Sequence, residues 1–146
     1  MVLILLFPAL AAAAVVPLLF GTWFDPSDTF RALHGEKPGV VLEPSAWDAS
    51  STSALAIVVL VVVVLVSVLL AARGRFAAWT VAAATAILGG LVCLMLRHSP
   101  PDPGHATFVT GEQAYDATDL GIYAMACFVF AALDITAWAM VMRRRV

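Results

Sequence analysis

From Ala54 to Ala72 the chain runs without a charged residue, almost entirely in Val, Leu, Ile and Ala. Valine-rich segments suit strands in water, but this run is long enough to cross the ~30 Å hydrocarbon core of a bilayer at about 1.5 Å per helical residue. Lipid supplies no partner for an open backbone, so an uninterrupted run of this kind satisfies its peptide groups as a helix. That single stretch makes the chain a membrane protein before any other residue is considered.

Three more stretches resemble it, and the expected helices cover residues 2–21, 46–72, 76–96 and 111–142, with outer loops at 22–45 and 97–110. The expected fold is one all-α integral membrane domain over residues 1–146, a four-transmembrane-helix bundle with two structured extracytoplasmic loops. Composition agrees, because 62% hydrophobic and only 12% charged residues leave too little polar surface for a water-exposed globule of this length. The first stretch has a rival reading as a cleaved signal peptide, with Ala11–Ala14 offering small residues for cleavage. No Lys or Arg precedes its apolar core, and hydrophobicity continues to Phe20, so retention is expected. Pro8 and Pro17 each remove a backbone donor and predict a bent helix. Two capping boxes are expected, Ser45 with Asp48 and Thr110 with Gln113, so the second and fourth helices should begin outside the hydrocarbon.

Orientation follows from the arginines, which favour short cytoplasmic segments. Arg73 and Arg75 occupy the link between the second and third stretches, and Arg143, Arg144 and Arg145 follow the fourth. The opposite side receives residues 22–53, with five acids against Arg31 and Lys37, and residues 97–119, with four acids against Arg97. Both termini are therefore placed in the cytoplasm and the longer loops outside the cell membrane. In the first loop, Asp25 is expected to cap a short helix from Pro26 to just before Gly35, followed by an extended segment at Gly39–Leu42. Pro100, Pro101 and Pro103 exclude regular helix from the start of the second. Trp23, Trp79 and Trp138 fall near helix ends, where aromatic side chains anchor spans at the interface.

Asp134 is the most informative single residue, because an acid within a span is costly and faces the bundle or a watery cavity. It lies about 13 Å along a helix from Arg143, in the inner half of the bilayer. Thr85, Thr80, Ser67 and Thr136 fall at comparable depth, and the five side chains are expected to form one polar cluster among the second, third and fourth helices. Its functional reading is proton or cation handling, or a polar lock to a partner; its structural reading is a hydrogen-bonded acid that fixes helix packing. On the third helix Ala82, Ala86 and Gly90, with Gly89 beside them, form a small-residue face that lets another helix approach closely, without indicating which. Cys93 and Cys127 lie in apolar stretches and read as small packing residues. His34, His98 and His105 lie in the loops with several acids and are weak metal candidates, since their spacing matches no ligand signature. No cofactor is expected and no catalytic residues can be assigned: no nucleophile elbow, phosphate loop or metalloprotease motif occurs. A net charge of −2 without a clustered basic face argues against a nucleic-acid partner.

The longer first outer loop, the short basic inner turn and the shorter second outer loop are similar in topology to claudin-like tetraspans. The first loop here holds Trp23 and Trp47 but no cysteine pair, so no function is carried over from that resemblance. Heavy use of Ala, Val and Arg, with Lys37 as the sole lysine, has the look of a GC-rich bacterial genome. The leading functional expectation is a non-catalytic accessory subunit that packs against larger membrane proteins, or copies of itself, through its helices and outer loops. A small homo-oligomeric transporter or channel using Asp134 is the second, and an enzyme or metal handler using the outer histidines the third.

Overall fold

A computed structural model of the chain describes residues 2–28, 44–101 and 114–145. It is mostly helical, with three helices long and apolar enough to cross a membrane: α4 (Ser51–Ala72), α5 (Ala77–Arg97) and α6 (Leu120–Arg145). The first apolar stretch is divided into α1 (Val2–Ala13) and α2 (Val15–Leu18). A short α3 (Ala46–Ala49) precedes α4, and two three-residue strands, β1 (Phe24–Pro26) and β2 (Tyr115–Ala117), complete the elements.

The break between α1 and α2 has a local cause. Pro17 has no N–H to offer the carbonyl of Ala13, and its ring crowds that same carbonyl. The helix therefore loosens after Ala13, although Ala14 keeps helical angles and its N–H still reaches Leu10 O at 2.9 Å. The long helices pack by the expected three- and four-residue spacing. On α5 the buried positions are Trp79, Ala82, Ala86, Gly89, Gly90, Cys93 and Leu96. They face Ile57, Val61 and Val64 of α4 and Ala124, Phe128, Ala131 and Ile135 of α6, all in one apolar core. The α1 segment packs on α6 and α4, beside rather than between the long helices.

The α4–α5 turn is compact because Gly74 adopts φ +96°, a left-handed conformation that costs glycine little. The Gly74 N–H reaches Ala71 O at 3.1 Å and the Arg75 N–H reaches Leu70 O at 3.2 Å, the paired bonds of a glycine-terminated helix end. This turn defines one end of the bundle, the turn end. The other, the loop end, holds Leu18, Arg97 and Leu120.

Several expected boundaries are corrected. Residues 46–72 are two helices, because Ser50 is extended at φ −162° and starts the second one, its hydroxyl accepting from Ser53 N at 3.2 Å. The Ser45–Asp48 capping box does form: Ser45 N–H donates to the Asp48 carboxylate at 2.9 Å, and Asp48 N–H to Ser45 Oγ at 3.4 Å. The fourth long helix begins at Leu120, not at residue 111, because residues 115–117 are extended and pair with residues 24–26. Thr110 and Gln113, the second expected box, lie outside the described residues. The same pairing moves the start of the expected loop helix past Pro26, whose missing N–H is tolerated at the end of a short edge strand, to the helical Asp28. The rest of that expected helix beyond Asp28, and the Gly39–Leu42 segment, lie outside the described residues.

Candidate functional site

Two regions hold the polar side chains of interest: the middle of the bundle, and the loop end. In the bundle, Asp134 sits on α6 one residue before Ile135, which is fully buried. Its side chain is half-buried, and Oδ2 is enclosed with no hydrogen-bond partner among the described residues. The other members of the expected cluster are dispersed. Thr85 Oγ1 donates to Val81 O at 2.7 Å, and Thr136 Oγ1 donates to Ala132 O at 2.7 Å, each turned back on its own helix. Ser67 is buried on the packed face of α4, and Thr80 is exposed near the start of α5. No hydrogen bond joins any two of the five among the described residues. Helical geometry accounts for part of this, since residues two apart are separated by about 200° around the axis. Thr136 accordingly lines an apolar groove of about 240 Å³ with Gly90, Met125 and Ala132, on the side of α6 away from Asp134.

The small-residue face docks α6. A methyl group on Gly89 would lie 2.5 Å from Cε1 and 2.6 Å from Cζ of Phe128, whereas one on Gly90 would meet nothing closer than 3.7 Å. Phe128 is fully buried, so Gly89 makes room for its ring. Ala82 and Ala86 are also fully buried along this helix face. Cys93 is buried and Cys127 half-buried, both as free thiols.

At the loop end, Trp23 is the hub. Its ring is 1% exposed, and its indole N–H donates at 2.7 Å to Leu18 O, the last carbonyl of α2, which also accepts from Gly21 N at 3.2 Å. The Trp23 N–H donates to Pro44 O at 3.0 Å, which pins the far end of the first loop, and Trp23 O accepts from Thr118 N at 2.9 Å. Thr118 closes the connection from the other side: its hydroxyl donates to Thr22 O at 2.7 Å and accepts from Leu120 N at 3.3 Å, helping to start α6. The strands then pair Phe24 with Ala117, Asp25 with Asp116 and Pro26 with Tyr115. The bases of both loops are thus fastened to each other and to the ends of α2 and α6. Phe20 and Trp47 add a tilted ring pair with centroids 5.8 Å apart. Burial, and secondarily the charge of Asp48 in α3, push the Tyr115 phenol above its ordinary pKa.

Of the three tryptophans expected as interfacial anchors, Trp23 and Trp79 are near helix ends but turned into the core, and Trp138 is half-buried. Among the histidines, His98 is exposed just beyond α5, while His34 and His105 lie outside the described residues. Among the described residues no three His, Cys, Asp or Glu side chains gather as a metal site. Sequence reasoning missed the Trp23–Thr118 fastening; its one local trace is the Thr118–Asp119 pair directly before an apolar run, a helix-start pattern of its own. Compared with protein-family models, characterised proteins and solved structures, the chain matches none.

Proposed function

We propose that this chain is a non-catalytic accessory subunit of a larger membrane protein complex, with α1–α2 as a fourth span, both termini in the cytoplasm and the loop end outside. The observation that carries the reading is the fastening of both loops through Trp23, Thr118 and the β1–β2 ribbon. A transporter needs mobile gates, whereas a docking subunit gains from loop bases tied together at the helix ends, because a preorganised surface loses less entropy on association. The four-span topology draws on the arginine asymmetry and on α1 packing against α4 and α6. Gentle extraction from native membranes, followed by mass spectrometry of the intact assembly, tests the proposal. Larger membrane proteins in fixed stoichiometry are expected, and a lone monomer would defeat it.

Asp134 favours a second reading, a homo-oligomeric transporter or channel, because its Oδ2 is enclosed and unpartnered among the described residues. In proteoliposomes, Asp134→Asn would then abolish flux. Equal flux in the variant, or none in the wild type, removes this reading.

A further inference from the structure

We propose that the polar recess where α5 meets β2 binds a phosphate-bearing zwitterionic headgroup of the phosphoethanolamine type, with Arg97 holding the phosphate and Asp116 the amine. The recess has a volume of about 230 Å³ and is lined by Phe24, Arg97, His98, Pro100, Tyr115 and Asp116, with Ala117 at its edge. Pockets for drug-sized ligands run to ~300–1,000 Å³, so this one suits a headgroup and not a larger molecule.

Arg97 is held in place before any ligand arrives. Its stem rests on Gly121, where an added methyl group would come within 3.2 Å of both Cβ and Cγ of the arginine. Its Nε–H makes a long contact, 3.4 Å, to Thr118 O. The terminal guanidinium nitrogens have no hydrogen-bond partner among the described residues, and no described carboxylate forms an ion pair with Arg97. A guanidinium on a packed stem, with its forked donors free among the described residues, is suited to a phosphate, and packing the stem removes part of the entropy cost of binding.

Asp116 faces Asp25 directly across the β1–β2 pair, and both are exposed. Like charges in that arrangement repel, and an ammonium group beside Asp116 relieves the repulsion. Arg97 and Asp116 thus both line the recess, one cation and one carboxylate, which matches a zwitterion better than a simple anion. Arg97 also ends a helix long enough to cross a membrane, which sets the recess at headgroup depth. The same chemistry has two sources, an ethanolamine phospholipid or a soluble phosphoethanolamine compound.

The test uses the purified full chain, delipidated in mild detergent and re-exposed to phosphatidylethanolamine or phosphatidylglycerol, with bound lipid read by native mass spectrometry. A parallel arm titrates free phosphoethanolamine and follows the thermal midpoint. Preferential retention of phosphatidylethanolamine is expected. Arg97→Gln should cut retention of both lipids roughly tenfold, the scale of losing a charge-assisted hydrogen bond. Asp116→Asn should erase the preference for the ethanolamine lipid while leaving phosphatidylglycerol bound. If only free phosphoethanolamine binds, and binding is lost in Arg97→Gln, the shared chemistry stands and the source is a solute. Wild-type lipid selectivity and solute response in both variants would overturn the proposal. Should Arg97→Gln fail to fold, the exposed Asp116→Asn decides alone, and an unchanged preference there is refutation.

Discussion

Adjacent glycines on one helix should respond in opposite ways to the same substitution. At Gly89 an added Cβ meets three ring atoms of Phe128 at 2.5, 2.6 and 2.7 Å; at Gly90 its nearest neighbour is 3.7 Å away. Replacing Gly by Ala in a helix interior gains up to ~1 kcal/mol from propensity at either position. That term largely cancels when the two variants are compared, leaving the clash. Overpacking a closed core costs about 1–3 kcal/mol, and Phe128, with no exposed surface, has little room to turn away. Gly90→Ala should therefore be neutral or stabilising, and Gly89→Ala less stable than Gly90→Ala by about 1–3 kcal/mol. Reversible unfolding in mixed dodecyl maltoside and dodecyl sulfate micelles, followed by tryptophan fluorescence, measures the gap. Combining Gly89→Ala with Phe128→Leu removes the colliding ring and should recover at least ~1 kcal/mol relative to additivity, since the two sites touch. Equal stability of the two alanine variants, or an additive double mutant, would show that Gly89 is not there to admit the ring.

Thr118→Val removes the hydroxyl that donates to Thr22 O and accepts from Leu120 N, so it should cost about 1–2 kcal/mol in the same assay. Its effect should be concentrated in amide exchange at the loop end, with protection along α5 unchanged. The raised Tyr115 pKa makes the fold favour the neutral phenol, so its stabilising contribution is full below the ordinary value near 10 and is lost as pH rises through the folded value. Ultraviolet titration of tyrosinate should show a late-ionising phenol that disappears in Tyr115→Phe and moves down in Asp48→Asn; a single ordinary transition in the wild type would contradict this. Ser45→Ala deletes one half of a formed capping box and should destabilise the chain by about 1 kcal/mol, measured in the same micelles.

The long helices were legible because membrane spans are written in composition: Ala54–Ala72 and the alanine-rich run after Phe76 admit one reading in lipid. The Ser45–Asp48 box was legible because both partners lie within one turn. What escaped notice depends on partners distant in sequence. Nothing near Tyr115 predicts that Pro26 will pair with it, and a local pattern of Thr and Gln at 110 and 113 favours a longer helix than the strand pairing permits. Asp134 and Thr136 illustrate a different limit: equal depth along a helix does not place two side chains on one face, and hydroxyls in apolar surroundings satisfy themselves on the preceding turn. The small-residue face was readable as a face, but its partner was fixed by one aromatic ring on α6.

This contrast bears on how Asp134 is to be interpreted. At the loop end the Trp23 and Thr118 side chains are paired, and the Thr118 hydroxyl ties the second loop to Thr22 of the first. Within the bundle the Thr85 and Thr136 hydroxyls are spent locally, and Asp134 Oδ2 is enclosed without a partner among the described residues. An enclosed carboxylate oxygen without a donor is tolerable as a protonated acid or once another group reaches it. In an accessory subunit that group comes from a neighbouring helix, and Asp134→Asn should then keep the assembly, because an amide can still hydrogen-bond, while Asp134→Leu should release the partner. In a proton-coupled transporter the order differs, because Asn cannot exchange a proton and fails as completely as Leu. Comparing the two substitutions for partner retention and for flux separates the readings in a way that neither substitution does alone.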